Sequence, residues 1–311
     1  MKIKIEKNKS LAPLTTFKVG GKALFYTVAK TASEVTEAIE YAKEKKIPAF
    51  ILGGGSNVLF SDQGFAGLVI HFTGDAIHLE GHKLEVFAGA KLLDVVRAVG
   101  EKGLAGIENL AGVPGYIGGA IRGNAGAFGS EIGEYIQSVK AVNLRDGIVK
   151  NFSKSDCQFS YRQSFFKHTR DWVIISAEFF FPDRMDPAKL HAIHEHTIAK
   201  REAKHPQDAQ CAGSFFMNPV VTDQALLDEF ARETGEPSKN GKLPAGWLVT
   251  HVGLRGKKIG GAQMSPKHPN YLVNTGGATA EDIVMLASLV KTKVRDELGI
   301  RLQEEVQMVG F

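Results

Sequence analysis

Two glycine-rich blocks constrain this chain more than any other feature. The first, Gly53-Gly54-Gly55-Ser56-Asn57-Val58, follows the short apolar run IPAFIL at 47–52. The second, AGVPGYIGGAIRGNAGAFG, runs from Ala111 to Gly129. Glycine raises the entropic cost of folding, so a chain that concentrates it needs left-handed turns or another group close against its backbone. Three glycines in the first block let several N–H groups converge on a diphosphate without a side chain between, and Ser56 and Asn57 add polar partners. Taken alone, such a turn is more often structural than ligand-binding. In the second block the glycines are interleaved with Val113, Ile117, Ile121 and Phe128. A loop lying flat against a planar ring system and a diphosphate has that character, and so has a bulged, glycine-rich β region. Two such blocks in one chain point to a large phosphate-bearing cofactor. Neither is a GxGxxG fingerprint opening a helix, and no GK[ST] marks a P-loop.

The 311 residues are enough for two or three domains. The pattern is α+β. Helices are predicted over 31–46, capped by Ser33, over 91–102, stopped by Gly103, and over 187–204. Another is predicted over 279–298, with Thr279 and Asp282 as a capping box. Strands are predicted at 47–52, at NVLF, at GLVIHF and in the AVNLRDGIVKNF hairpin, with Asp-Gly at its turn. Residues 209–221 read as extended, and RLQEEVQMVGF alternates like a strand. Boundaries fall near 73 and near 205.

A net charge of +4 suits an anionic substrate and is far from the footprint of a nucleic-acid binder. Cys157 and Cys211 form no metal spacing and no disulfide framework. MKIKIEKNKS has no apolar h-region, and no stretch is long enough to span a membrane, so a cytoplasmic protein is expected.

Several residues invite a chemical reading, each with a plainer one beside it. Arg162 sits among aromatics in YRQSFFK and could hold a carboxylate with two parallel bonds, or simply stack at the surface. Ser214, in GSFF, lacks the GxSxG setting of a hydrolytic nucleophile. It could deliver a proton, or be a core hydroxyl bonded to backbone. Alternation puts Glu304 with Leu302, Val306 and Met308 and Glu305 with Gln303 and Gln307, so one carboxylate could be buried; an exposed edge strand is the plainer reading. His191, His194 and His196 do not share one helix face, and HExxH is absent, so no metal site is expected.

Eight segments in order carry a family resemblance: LTTF at Leu14, GGGSNVLF at Gly53, AGVPGYIGGA at Ala111, GNAGAFG at Gly123, YRQSFFK at Tyr161, AGSFFMNP at Ala212, HPNYLVN at His268 and QEEVQMVG at Gln303. Over nearly its full length the chain resembles the UDP-N-acetylenolpyruvoylglucosamine reductases, also called UDP-N-acetylmuramate dehydrogenases, which serve bacterial peptidoglycan synthesis. The resemblance implies a vanillyl-alcohol-oxidase-type flavoprotein fold. FAD-binding subdomains would span 1–72, joined by 300–311, and 73–205, with a substrate-binding domain at 206–299. FAD would be held noncovalently by Gly53, Gly54, Gly55, Ser56, Asn57 and Val58, and by Ala111, Gly112, Val113, Pro114, Gly118, Gly119, Asn124, Ala125 and Gly126. NADPH would reduce the flavin and leave, and the enolpyruvyl UDP-sugar would take its place. The catalytic residues carry over to Arg162, Ser214 and Glu305. Arg162 would stabilise the enolate, Ser214 would protonate it and Glu305 would orient the site. The same Arg162, Ser214 and Glu305, with Tyr161, Lys204, Asn218 and His268, would contact the substrate.

The chain departs from the family in two places. The span from Tyr161 to Ser214 is too short for the tyrosine-bearing loop that covers the substrate in one subclass, and Met217 stands where lysine is usual. The same-fold alternative is an FAD oxidase of a small alcohol or aldehyde, whose relatives often attach flavin through a histidine that GGGSN lacks. A nucleotide-sugar binder without turnover and a basic nucleic-acid binder are the alternatives of another class. A monomer is expected.

Overall fold

A computed structural model describes residues 3–169, 171–204 and 209–311. The chain divides into two compact units, each with its own core.

The first unit comprises Met1–Ser10, Lys22–Gly55 and Phe65–Ala203. Besides the short pair Gly126–Ala127 with Ser130–Glu131, it holds two larger sheets. One has the order Glu6–Ser10, Lys22–Ala29, Phe65–Phe72, Ala49–Leu52. Its first pair is antiparallel and the other two are parallel. The middle strand of the parallel part, Phe65–Phe72, is buried from Gly67 to Ile70, as a strand covered on both faces requires, whereas Lys22–Ala29 alternates between buried and exposed residues. In their register Leu52, the residue before the first glycine block, lies opposite His71. The other sheet is antiparallel, in the order Val149–Ser153, Ile136–Asn143, Trp172–Phe180, Lys83–Phe87, Ile77–Glu80. The expected hairpin is its outer pair, with Gly147 left-handed (φ 78°) in the turn.

The helix Ala32–Glu44 buries Val35, Ala38, Ile39 and Ala42, one face at helical spacing. The sequence pattern puts its cap at Ser33; the cap is Thr31. Thr31 Oγ1 accepts the Glu34 N–H at 3.2 Å and Glu34 Oε2 accepts the Thr31 N–H at 3.2 Å. That reciprocal pair needs a glutamate three residues after the cap, which Thr31 has and Ser33 lacks. Helix Leu92–Glu101 meets helix Pro187–Lys204 where Gly100 faces His194: a Cβ on Gly100 would lie 2.5 Å from the imidazole.

His194 is only 3% exposed, and its Nε2 has no hydrogen-bond partner. Burial pushes its pKa below the ordinary 6.5. The unfolded chain therefore binds a proton that the folded chain resists, and stability falls as pH drops through and below that ordinary value. In urea titrations the midpoint should fall between about pH 7.5 and about pH 5.5, and His194→Leu should shrink that fall. An equal fall in both proteins would remove His194 as its source.

The second unit comprises Leu11–Gly21, Ser56–Gly64 and Lys204–Phe311. Helix Ala280–Leu298 has the Thr279–Asp282 capping box, a buried stripe through Ile283, Leu286, Val290 and Val294, and a left-handed Gly299 (φ 67°) at its end. Asp62 accepts its first N–H groups, from Ala280 at 3.0 Å and Glu281 at 3.1 Å. A small antiparallel sheet joins Lys258–Ile259, Ala262–Met264 and Leu272–Asn274. Residues 209–221 form single bridges and no continuous strand. The C-terminal segment is also broken. Glu305 N–H bonds Phe215 O and Met217 N–H bonds Gln303 O, whereas Gln307–Val309 pairs in parallel with Val58–Phe60. A change of partner midway explains why only Gln307–Val309 forms a strand.

Candidate functional site

The candidate residues are distributed over both units, and each group is built locally. In the first unit, Gly53 and Gly54 leave the end of strand Ala49–Leu52 and lie against Tyr116. A Cβ at Gly54 would come within 3.1 Å of that ring. Gly55 is left-handed (φ 64°). The second block is part helix and part β: it holds a short helix and ends in a strand pair, Gly126–Ala127 with Ser130–Glu131. A 3-10 turn, Glu108–Leu110, precedes buried Ala111, and the Val113 N–H bonds Leu110 O at 2.9 Å. Gly112 and Pro114 lie in the connection to a short helix, Ile117–Arg122. Two glycines in that helix override poor propensity because Gly118 must pack on Ala88, whose Cβ a side chain there would meet at 2.9 Å. Gly119 is different: a Cβ there would meet no protein atom within 4 Å. Packing does not require glycine at 119, and the open side suits a ligand.

Asn124 organises the rest. It is left-handed (φ 42°) and 1% exposed. Its Nδ2 donates to Glu131 Oε2 at 2.6 Å and to Ser160 O at 2.9 Å, and its Oδ1 accepts the Gly133 N–H at 3.0 Å. The Ala125 N–H bonds Ala120 O at 2.8 Å, which turns the chain back under the helix. Arg162, also left-handed (φ 57°), donates from Nη2 to Gly126 O at 2.7 Å and from Nη1 to Asn124 O at 3.5 Å, and its guanidinium lies 5.4 Å from the Tyr161 ring. The structure therefore brings Asn124, Ala125 and Gly126 together with Tyr161 and Arg162. Beside them Gln163 Oε1 is buried without a hydrogen-bond partner, an acceptor for a donor the chain does not supply.

In the second unit, the tail of the first block meets the C-terminal segment. Asn57 Nδ2 donates to Glu305 O at 3.2 Å, and Gln307 N–H donates to Asn57 O at 3.1 Å. Val58 begins the strand paired with Gln307–Val309, and Ser56 precedes both. Ser214 is bridged to Tyr271, and the next residue, Phe215, gives its carbonyl to Glu305 N–H at 2.8 Å. Ser214 and Glu305 are thus held by one backbone junction. The His268 ring lies against Tyr271, centroids 4.3 Å apart and planes tilted by 51°, and Asn218 Oδ1 accepts the Ala245 N–H at 2.9 Å. Glu304 turns away to Lys291, 2.6 Å from its ammonium, and neither glutamate is fully buried. The side chain of Lys204 lies outside the described residues.

Sequence reasoning missed Asn270, within HPNYLVN. It is 3% exposed, accepts the Phe216 N–H at 3.0 Å through Oδ1 and donates to Phe216 O at 2.8 Å through Nδ2. With its own carbonyl accepting the Phe215 N–H at 2.8 Å, it fixes the register of the Ser214 segment. His191 and His196 are exposed while His194 is buried, so the three do not converge. Among the described residues, ligand atoms do cluster at Glu229, Glu233 and His251. There Glu233 accepts the Trp247 indole N–H at 2.7 Å and His251 lies 4.0 Å from Glu229.

The residues fit a flavin dinucleotide: glycines against a flat Tyr116 face, an open side at Gly119 and a free acceptor at Gln163. Comparison with known proteins agrees. Residues 23–153 match the FAD binding domain family, and residues 205–309 match the C-terminal domain of UDP-N-acetylenolpyruvoylglucosamine reductase. The reductase of that name from Solibacter usitatus is 36% identical over 302 residues, 96% of this chain and 95% of its own length. That from Paracoccus denitrificans is 39% identical over 307 residues, 97% and 95% of the two chains. The crystal structure of the Thermus caldophilus enzyme superposes with a TM-score of 0.76 at 26% identity, covering 99% of each chain. The fold is the vanillyl-alcohol-oxidase-type FAD-binding fold with a second α+β part. With near-complete coverage at this identity, and with both halves matched in order, the chain belongs to the UDP-N-acetylenolpyruvoylglucosamine reductase family.

Proposed function

We infer that this protein uses NADPH to reduce the enolpyruvyl group of UDP-N-acetylglucosamine enolpyruvate, giving UDP-N-acetylmuramate for peptidoglycan. The observation that carries this reading is kinship at 36–39% identity over almost the whole chain, which leaves no part of the relatives' length unrepresented beyond a few per cent. An FAD oxidase of the same fold is not favoured by it.

Bound FAD supplies a two-electron carrier between NADPH and the vinyl ether. The rest is the work of the chain. As the terminal vinyl carbon gains hydride, negative charge grows on the neighbouring carbon and its carboxylate. Arg162 stabilises that charge with its guanidinium, which the Gly126 and Asn124 carbonyls hold in place. Ser214 gives its hydroxyl proton to the enolate carbon, and solvent restores it. Glu305, held to Asn57 and Phe215 through its main chain, orients the substrate side. Tyr161, Lys204, Asn218 and His268 contact the UDP-sugar. Gly53 to Val58, Ala111 to Pro114, Gly118, Gly119 and Asn124 to Gly126 hold the cofactor, the open side at Gly119 supporting that role. The two sheets of the first unit end and begin at Phe72 and Ile77, which supports FAD-binding subdomains at 1–72, with 300–311, and at 73–205, leaving 206–299 for the substrate. No helix among the described residues is long and apolar enough to cross a membrane. A cytoplasmic monomer is part of the proposal.

The test is NADPH oxidation by the pure yellow protein, with and without the enolpyruvyl UDP-sugar. Fast turnover should require the sugar. Acid precipitation should leave all flavin in the supernatant, because GGGSN offers no histidine for attachment. Sugar-independent turnover, or colour retained in the pellet, would point to the oxidase instead.

A further inference from the structure

Beneath the first glycine block lies a polar pair that the catalytic reading leaves unused. Tyr26, in strand Lys22–Ala29, is 4% exposed. Its hydroxyl lies 2.8 Å from Nδ1 of half-buried His71 on the adjacent parallel strand. On the other side His71 is opposite Leu52, so it stands at the point where the chain leaves the sheet to become Gly53.

We propose that Tyr26 and His71 form a positioning relay that fixes the Gly53 carbonyl, and with it the path of the glycine loop that holds the FAD diphosphate. The relay rests on the FAD assignment and adds residues outside both glycine blocks.

The chemistry is internally consistent in one tautomer. The Gly53 main chain hydrogen-bonds the imidazole in the sense that favours the charged ring, so a ring N–H donates to its carbonyl. Burial opposes this and dominates, holding the ring below its ordinary pKa and neutral near pH 7. A neutral imidazole has one N–H. With Nδ1 2.8 Å from the Tyr26 hydroxyl, Nε2 is the nitrogen left for Gly53; a proton there makes Nδ1 the acceptor and the Tyr26 hydroxyl the donor. Tyr26 thus selects the tautomer and His71 transmits the choice. Burial raises the Tyr26 pKa, so its proton stays in place. A loop of three glycines has little side-chain packing to hold its conformation, so one directed bond at its first carbonyl has leverage.

Four variants test this: His71→Leu, which fills the volume without a donor, His71→Gln, whose amide can supply the N–H, Tyr26→Phe, and the double variant of Tyr26→Phe with His71→Leu. The measurement is the rate at which flavin leaves the holoenzyme after dilution, separated by ultrafiltration, alongside thermal unfolding of each protein. His71→Leu should release FAD about 5–10-fold faster, the worth of one lost hydrogen bond. His71→Gln should restore release to within about 2-fold of wild type. Tyr26→Phe should fall between them and add nothing to His71→Leu, because one path carries both effects. Wild-type release from His71→Leu, or equal loss in the Leu and Gln variants, would overturn the relay. Additive loss in the double variant would do the same. Should the histidine variants not fold, Tyr26→Phe, a single-atom change, decides alone, and release at the wild-type rate refutes the relay. A wild-type protein that purifies without flavin would instead count against the FAD assignment itself.

Discussion

Ser214→Ala should slow reoxidation of the flavin by the UDP-sugar about 10²–10⁴-fold, the usual worth of a positioned acid, while reduction by NADPH should proceed near the wild-type rate. Reduction needs no proton at the enolate carbon, so a proton donor matters in one half only. Loss of a core hydroxyl, by contrast, would affect both halves alike. The structure makes the substitution clean. The segment is held by the Ser214–Tyr271 bridge, by the Phe215 N–H on Asn270 O and by the Asn270 amide on Phe216, none of which uses the serine hydroxyl. Substrate affinity should change little, because the lost contact acts mainly in the transition state. Stopped-flow absorbance of the flavin reads the two halves separately. Equal slowing of both, or no slowing of the second, would take Ser214 out of the mechanism.

What the sequence discloses depends on how far apart the interacting groups lie. Helix Ala280–Leu298 is legible because its cap, stripe and terminal glycine all act within a few residues. The cap of helix Ala32–Glu44 is misassigned by two positions because Thr31 and Ser33 are both good caps, and only the reach of Glu34 decides between them. The short helix Ile117–Arg122 is hidden by its own glycines. What permits it is the contact of Gly118 with Ala88, thirty residues earlier, which propensity cannot register. The C-terminal strand is overestimated because alternation shows which side chains share a face and does not show where the backbone changes partner, from 215–217 to 58–60.

The site follows the same rule. The types of Arg162, Ser214 and Glu305 are readable, and the family resemblance carries their roles. The groups that position them are not readable. Asn270 grips a residue 54 positions earlier, and Asn57 grips one 248 positions later. Asn124 has a recognisable neighbourhood in GNAGAFG. Its three partners, at Glu131, Gly133 and Ser160, appear only when the chain closes around a left-handed residue.

Arg162→Lys should slow reoxidation by the UDP-sugar about 10²-fold or more, again with flavin reduction largely spared. Arg162 is left-handed at φ 57°, and lysine bears the same strain there, so the exchange adds no new backbone cost. What changes is the head group. The guanidinium donates from Nη2 to Gly126 O at 2.7 Å and from Nη1 to Asn124 O at 3.5 Å, which fixes its plane beside Tyr161. A lysine ammonium keeps the charge as a compact point on a flexible stem and loses the fork. It can satisfy the Gly126 carbonyl or approach the developing enolate, and a single ammonium on one stem does neither with the guanidinium's geometry. The loss of the carbonyl bonds should lower stability by only about 1 kcal/mol. The kinetic deficit should therefore far exceed what unfolding explains, and a thermal melt run beside the stopped-flow trace separates the two. Rates within about 3-fold of wild type in both halves would mean that charge alone suffices, and that the fork held by Asn124 and Gly126 is structural.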